Sequence, residues 1–188
     1  MSAMDLSPDA ALVVIDVQRG FLDLDFWGPR DNPDAEANIA ALLAAWQTSG
    51  RPVVLVRHAS RNSPPLYAGT PGHAFQDVVA GVEAALLVEK SVNSAFYGTP
   101  DLREWLDAAG IRQLVLCGIQ TNQCVETTVR MAGNLGYDVL VPVDACHTFD
   151  LTGPDGTVLT AADLARATAT NLHGGGFARV VPTADLLG

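Results

Sequence analysis

The chain has 188 residues, 48% of them hydrophobic and only 17% charged, a balance that excludes a disordered chain or a coiled coil and leads us to expect one domain spanning 1–188. Its 21 acidic groups outnumber 11 basic ones, and the formal charge of -10 argues against nucleic acid or an anionic membrane surface as a partner. The low charge content also leaves apolar surface to cover, so a homo-oligomer is expected.

Met1 to Pro8 shows no basic stretch leading into an apolar one, and no apolar run reaches the roughly 18 residues of a membrane span. The first element is the run Ala11–Ile15, apolar at every position and ending in Asp16. A helical pattern follows, with Ile39, Leu42, Leu43 and Trp46 on one face, Asn32-Pro33 at its start and Gly50 at its end. A second apolar run covers 52–56, and the Pro-, Gly- and Ser-rich stretch 60–72 then reads as a long loop able to form one wall of a site. The third run covers 84–88, just before Lys90, and a helix is expected from Thr99-Pro100 to Gly110. A fourth run, 113–117, leads through Gly118 to Cys124, where a helix with Val125, Val129 and Ala132 on one face runs to Gly136. Runs at 139–143 and 177–181 bracket a last helix at 161–172.

Runs that are apolar on both faces suit strands buried in a parallel sheet, and helices between them cover its two sides. The expected architecture is therefore a three-layer α/β/α fold around a parallel sheet of about six strands. In such a sheet chemistry collects at the carboxyl ends of the strands.

Several signatures are missing. Asp16-Val17-Gln18-Arg19-Gly20 follows the first strand in place of a glycine-rich dinucleotide loop, and no phosphate-binding loop occurs, so no nucleotide cofactor is expected. The histidines His58, His73, His147 and His173 have no spacing suited to a local metal site, although distant residues could still assemble one. Three cysteines, an odd number in a chain too long to need disulfide staples, fit a reducing, cytoplasmic setting.

What remains is a set of polar residues standing directly after apolar strands. Asp16 could carry a proton there or only hydrogen-bond its own turn. Lys90 is the single lysine beside ten arginines, and its compact ammonium differs from a guanidinium in reach and geometry, yet it could also be an ordinary solvated lysine. Cys124 sits at the start of a helix, whose dipole favours a thiolate, so a nucleophile would sit there. Cys117 lies inside an apolar strand and reads as a small buried hydrophobe. Cys146 adjoins His147, but neighbouring loop residues usually point apart, which weakens a Cys–His pair.

With Asp, Lys and Cys after the first, third and fourth strands, the chain resembles the isochorismatase-like cysteine hydrolases, relatives of the nicotinamidases and of N-carbamoylsarcosine amidase. The resemblance covers roughly residues 9–183. It rests on Val14-Ile15-Asp16-Val17-Gln18, on Lys90-Ser91-Val92-Asn93-Ser94-Ala95-Phe96-Tyr97-Gly98-Thr99, and on Gly118-Ile119-Gln120-Thr121-Asn122-Gln123-Cys124-Val125-Glu126-Thr127-Thr128. It implies a Rossmann-like sheet, a nucleophile at Cys124, a general base at Asp16, and Lys90 against both, holding the carboxylate ionised and stabilising the thiolate. It also implies a cis peptide between Ile119 and Gln120, with the backbone N–H groups of Gln120 and Cys124 forming an oxyanion hole.

Nicotinamidases hold a metal through an Asp-x-His motif after the second strand, where this chain has Val56-Arg57-His58, so no metal is expected. Family members that cleave a vinyl ether lack the cysteine that is present here. The resemblance thus implies a metal-independent hydrolase of a small amide, carbamoyl or lactam compound, working through a thioester. Gln18, Phe21, Trp27, His58, Tyr97 and the Gln120 side chain are candidate substrate-binding residues. Two other readings stay open: hydrolysis of an ester or vinyl ether, and a non-catalytic, redox-sensing binding protein.

Overall fold

The computed structural model describes residues 6–187, so the first five residues of the segment read for a targeting signal lie outside it. The strands in chain order are β1 (Ala11–Ile15), β2 (Val53–His58), β3 (Leu86–Lys90), β4 (Gln113–Ile119), β5 (Asp138–Pro142), β6 (Cys146–His147), β7 (Leu151–Thr152), β8 (Val158–Leu159) and β9 (Arg179–Val181). The α-helices are α1 (Leu24–Trp27), α2 (Ala35–Ser49), α3 (Asp77–Ala80), α4 (Leu102–Ala108), α5 (Glu126–Asn134), α6 (Ala161–Gly174) and α7 (Ala184–Leu187).

The main sheet is parallel and runs β3-β2-β1-β4-β5-β9, with the short β6 also pairing to β4. Strand order reverses direction between β1 and β4, the switch point at which open parallel sheets leave a crevice above their carboxyl ends. One face is covered by α2, with α3 and α7 packed against it, and the other by α5 and α6. The fold is thus the expected three-layer α/β arrangement.

Burial follows from the sequence pattern. All five residues of β1 and all seven of β4 are buried, as two-sided apolar strands must be at the centre of such a sheet. Helix α2 buries Ile39, Leu42, Leu43 and Trp46, each worth roughly 1.5–3 kcal/mol or more of transfer free energy. The Trp46 indole N–H donates to the Ala10 carbonyl at 2.8 Å, which ties the helix to the entry of β1. The helix ends where Gly50 takes a left-handed φ of 68°.

Three differences from the sequence reading have physical causes. β3 starts two residues later than its apolar run and reaches Lys90, with Leu87 and Glu89 exposed, because it has a partner on one side only. Only the last part of the 177–181 run pairs in the sheet. The antiparallel ribbon β7–β8 was not expected, since two-residue strands are too short to show a period.

The centre of the sheet requires a glycine. Gly118 has φ +127°, and a Cβ there would lie 2.0 Å from the Ile15 carbonyl oxygen on β1. That oxygen belongs to a fully buried strand and has nowhere to move. Gly118→Ala should therefore lower stability by at least about 2 kcal/mol, read as the urea midpoint and slope; a wild-type denaturation curve would show that β1 and β4 can part without cost.

Candidate active site

Four strand ends meet on the carboxyl edge of the sheet. Asp16 directly follows β1, His58 ends β2 and Lys90 ends β3, with His58 and Lys90 as register partners. Ile15 is in register with both Val56 and Gly118, so Asp16 stands between the ends of β2 and β4. Asp16 takes a positive φ of 53°, which turns the chain out of the strand at that residue. Cys124 lies on the helical turn Thr121–Val125, which runs straight into α5. The Ile119–Gln120 peptide that leads into this turn is cis.

The Lys90 ammonium is the hub. Its Nζ donates to Asp16 Oδ2 at 2.6 Å, to His58 Nδ1 at 2.9 Å and to Cys124 Sγ at 3.2 Å. Lys90 and Asp16 have no exposed side-chain surface, so the pair is screened from solvent. The other carboxylate oxygen, Asp16 Oδ1, is buried with no hydrogen-bond partner.

Charge states follow from this packing. Burial alone would lower the Lys90 pKa, but the Asp16 carboxylate and then Cys124 outweigh it and raise it, so Lys90 is an ammonium. His58 is pushed down by burial and by the Lys90 charge, which leaves a neutral ring accepting at Nδ1. The Cys124 thiol is pushed well up, first by burial and then by the Asp16 charge, against the pull of Lys90. The helix start alone led us to expect a favoured thiolate. Desolvation and an adjacent carboxylate overrule it, and the resting sulfur holds its proton.

Donor atoms of Asp16, His58 and Cys124 all lie within 4.8 Å of one another, a set with metal-binding chemistry. All three face Lys90 Nζ, which occupies the position a cation would take. The residues therefore do not suit a metal while the lysine is charged.

A cavity of about 230 Å³ opens onto the Cys124 sulfur, roughly the volume of seven or eight waters in the liquid. Phe21, Trp27, Leu66 and Leu151 give it apolar walls, while Ser63, Asn93, Gln120, Gln123 and His58 supply neutral polar groups. Phe21 and Trp27 pack at 4.9 Å, with Phe149 stacked behind them. A second hollow of about 540 Å³ lies at the opposite, amino end of β2, beside Gly50 and Glu83, and its walls carry no nucleophile.

Of the six residues expected to meet substrate, Phe21, Trp27, His58 and Gln120 lie in this wall and two do not. Gln18 is wholly buried, its amide donating to the His58 and His73 carbonyls at 3.0 Å each and its oxygen accepting from the His58 N–H at 2.8 Å. It clamps the end of β2 to the Pro71–His73 turn. Tyr97 is 71% exposed and does not line the cavity. Ser63 and Leu66 come from the loop expected to form one wall, and Asn93 and Gln123 from the motif blocks around Lys90 and Cys124. Leu151 sits on β7 and had no signal in the sequence. Cys117 is buried in β4. Cys146 and His147 point apart: the thiol lies 3.6 Å from the Pro142 carbonyl, and the imidazole packs edge-on against Phe149.

Comparison with known proteins bears on the family and the fold. The isochorismatase domain model matches residues 10–172. The uncharacterized isochorismatase family protein YrdC of Bacillus subtilis is 35% identical over 178 residues, covering 94% of each chain. A solved isochorismatase-family structure from Chromobacterium violaceum superposes with a TM-score of 0.92 at 39% identity, covering 100% of this chain and 96% of that one. The ureidoacrylate amidohydrolase RutB of Methylorubrum extorquens is 36% identical over 102 residues, 54% of this chain and 41% of that one.

Because burial and Asp16 hold the thiol protonated, iodoacetamide should label Cys124 slowly at pH 8 and faster as pH rises above the usual thiol range. Asp16→Asn removes the charge that raises the thiol, so its labelling at pH 8 should be faster than wild type. Equal rates in the two proteins would mean that the carboxylate does not govern the sulfur.

Proposed function

The chain belongs to the isochorismatase family, and from that premise we propose that it is a cysteine-dependent amidohydrolase that cleaves a C–N bond of a small molecule through a thioester at Cys124. The observation that carries this reading is the contact of one buried ammonium with a carboxylate at 2.6 Å and a thiol at 3.2 Å, beneath the floor of a cavity that Cys124 lines. The name of RutB, an amidohydrolase, supports C–N cleavage as the bond class.

In this reading Sγ attacks the substrate carbonyl carbon as its proton passes to the Asp16 carboxylate, whose Oδ1 has no competing partner. The N–H groups of Gln120 and Cys124 receive the developing oxyanion. When the C–N bond breaks, the proton held by Asp16 goes to the departing nitrogen, which leaves as ammonia or an amine. Water then attacks the thioester, Asp16 takes its proton, and the sulfur departs and is reprotonated as the acid is released. Lys90 stays protonated throughout: it fixes Asp16 and offsets negative charge on sulfur as the thiol ionises. The proton therefore needs to leave sulfur only when the attack begins, which fits a thiol held protonated at rest.

Ammonia release from a panel of small amides should depend wholly on Cys124, and intact mass during turnover should show the acyl group on that residue and none on Cys124→Ala. Turnover of esters alone, with full dependence on Cys124, would overturn the amide assignment. Asp16→Asn should lose roughly 10²–10⁴-fold in kcat/KM, the usual contribution of a positioned proton carrier. Lys90→Arg should cost about 10²-fold or more, because a planar guanidinium cannot donate to three acceptors around one point. Wild-type turnover in Lys90→Arg would remove the hub from the mechanism.

A further inference from the structure

The charges around the cavity define what it can hold. Its apolar walls, Phe21, Trp27, Leu66 and Leu151, face neutral donors and acceptors on Ser63, Asn93 and Gln123. Among the described residues that line it, none offers a net charge to a ligand. The one ammonium beneath the floor, Lys90, has its three donors committed to Asp16, His58 and Cys124. The one carboxylate there, Asp16, has no exposed surface. His58, lowered by burial and by Lys90, is neutral.

Of the four arginines nearest in sequence to the site residues, all but Arg61 are already paired. Arg57 is bound to Glu89 at 2.8 Å, Arg19 to Asp77 at 2.7 Å, and Arg30 to Glu36 at 2.8 Å. A ligand carboxylate entering this space would lose its hydration and gain no cation, and a ligand ammonium would gain no anion. The chain's net charge of -10 adds a further barrier for anions.

We infer that the substrate is an uncharged amide whose apolar body packs against the Phe21–Trp27 wall and which carries no carboxylate, phosphate or ammonium group. This inference rests on the amidohydrolase reading above and names its substrate class. Neutral side-chain amides can then hydrogen-bond the polar end of the substrate while the aromatic wall excludes water. Arg61 is the residue that could defeat it: it is exposed on the loop that supplies Ser63, although it does not line the cavity.

The test compares hexanamide, the monoamide of adipic acid and 6-aminohexanamide, which share one chain and differ in terminal charge. Hexanamide should exceed both charged amides in kcat/KM by at least about tenfold. Binding of the same three compounds to Cys124→Ala, read by calorimetry, should follow the same order and does not depend on turnover. If none is hydrolysed, the amidohydrolase reading is at fault; tighter binding of hexanamide would still support the neutral pocket, and equal or absent binding of all three would overturn it. A charged amide equal to or better than hexanamide overturns the inference outright. Arg61→Ala should leave hexanamide turnover unchanged, and a preference for the adipic monoamide that disappears in this variant would assign the anion to Arg61.

Discussion

An ammonium group has three protons to donate, and in this protein each has an acceptor: a carboxylate, an imidazole and a thiol. The constraint that follows is severe. A buried ammonium must be paired and hydrogen-bonded in full, because an orphaned charge in that position costs several kcal/mol. Asp16 answers the charge, and His58 and Cys124 take the other two protons. Arginine could neutralise Asp16 but would spread five donors over a plane, with nowhere for most of them to go. This geometry explains why a chain that uses arginine at ten positions keeps one lysine.

The sheet makes the hub possible. Residues on neighbouring parallel strands stand about 4.8 Å apart, and the register puts His58 beside Lys90 and Ile15 beside both Val56 and Gly118. The carboxyl ends of β1 to β4 thus deliver a carboxylate, an imidazole, an ammonium and a thiol to one small volume. Gly118 is the tolerance on which this depends, since a side chain there would collide with β1 beside Asp16. Gln18 has a comparable part, bridging the backbone of His58 to the turn that carries His73.

The same hub separates the chemistry from the cavity. Lys90 and Asp16 satisfy one another beneath the floor, so the surface offered to a ligand is aromatic, aliphatic and neutral. Negative charge at the end of β1 raises the thiol, and positive charge from β3 opposes it. Burial adds to the first effect, so the sulfur favours its proton, and Asp16 Oδ1 is buried with no hydrogen-bond partner of its own. Protection at rest and proton transfer on attack would then follow from one arrangement of charges.

Much of this was legible in the chain by itself. Continuous apolar runs such as Ala11–Ile15 suit strands of a buried parallel sheet, and their alternation with helices closed by Gly50, Gly110 and Gly136 pointed to the layered fold. Asp16 and Lys90 at strand ends and Cys124 at a helix start were visible as candidates, each with an ordinary alternative, and it was the resemblance of the three motif blocks that joined them into one site. Local sequence could not report distances across the sheet. Gln18 follows Asp16 in the first motif, yet its side chain turns inward to satisfy backbone groups of β2. Tyr97 belongs to the second motif, but its turn carries the ring into solvent. Leu151 reaches the cavity from a ribbon too short to leave a periodic trace. The protonation of Cys124 was likewise decided by tertiary structure: its place at a helix start was visible in the sequence and favours a thiolate, but burial and the approach of Asp16 from another strand reverse that preference.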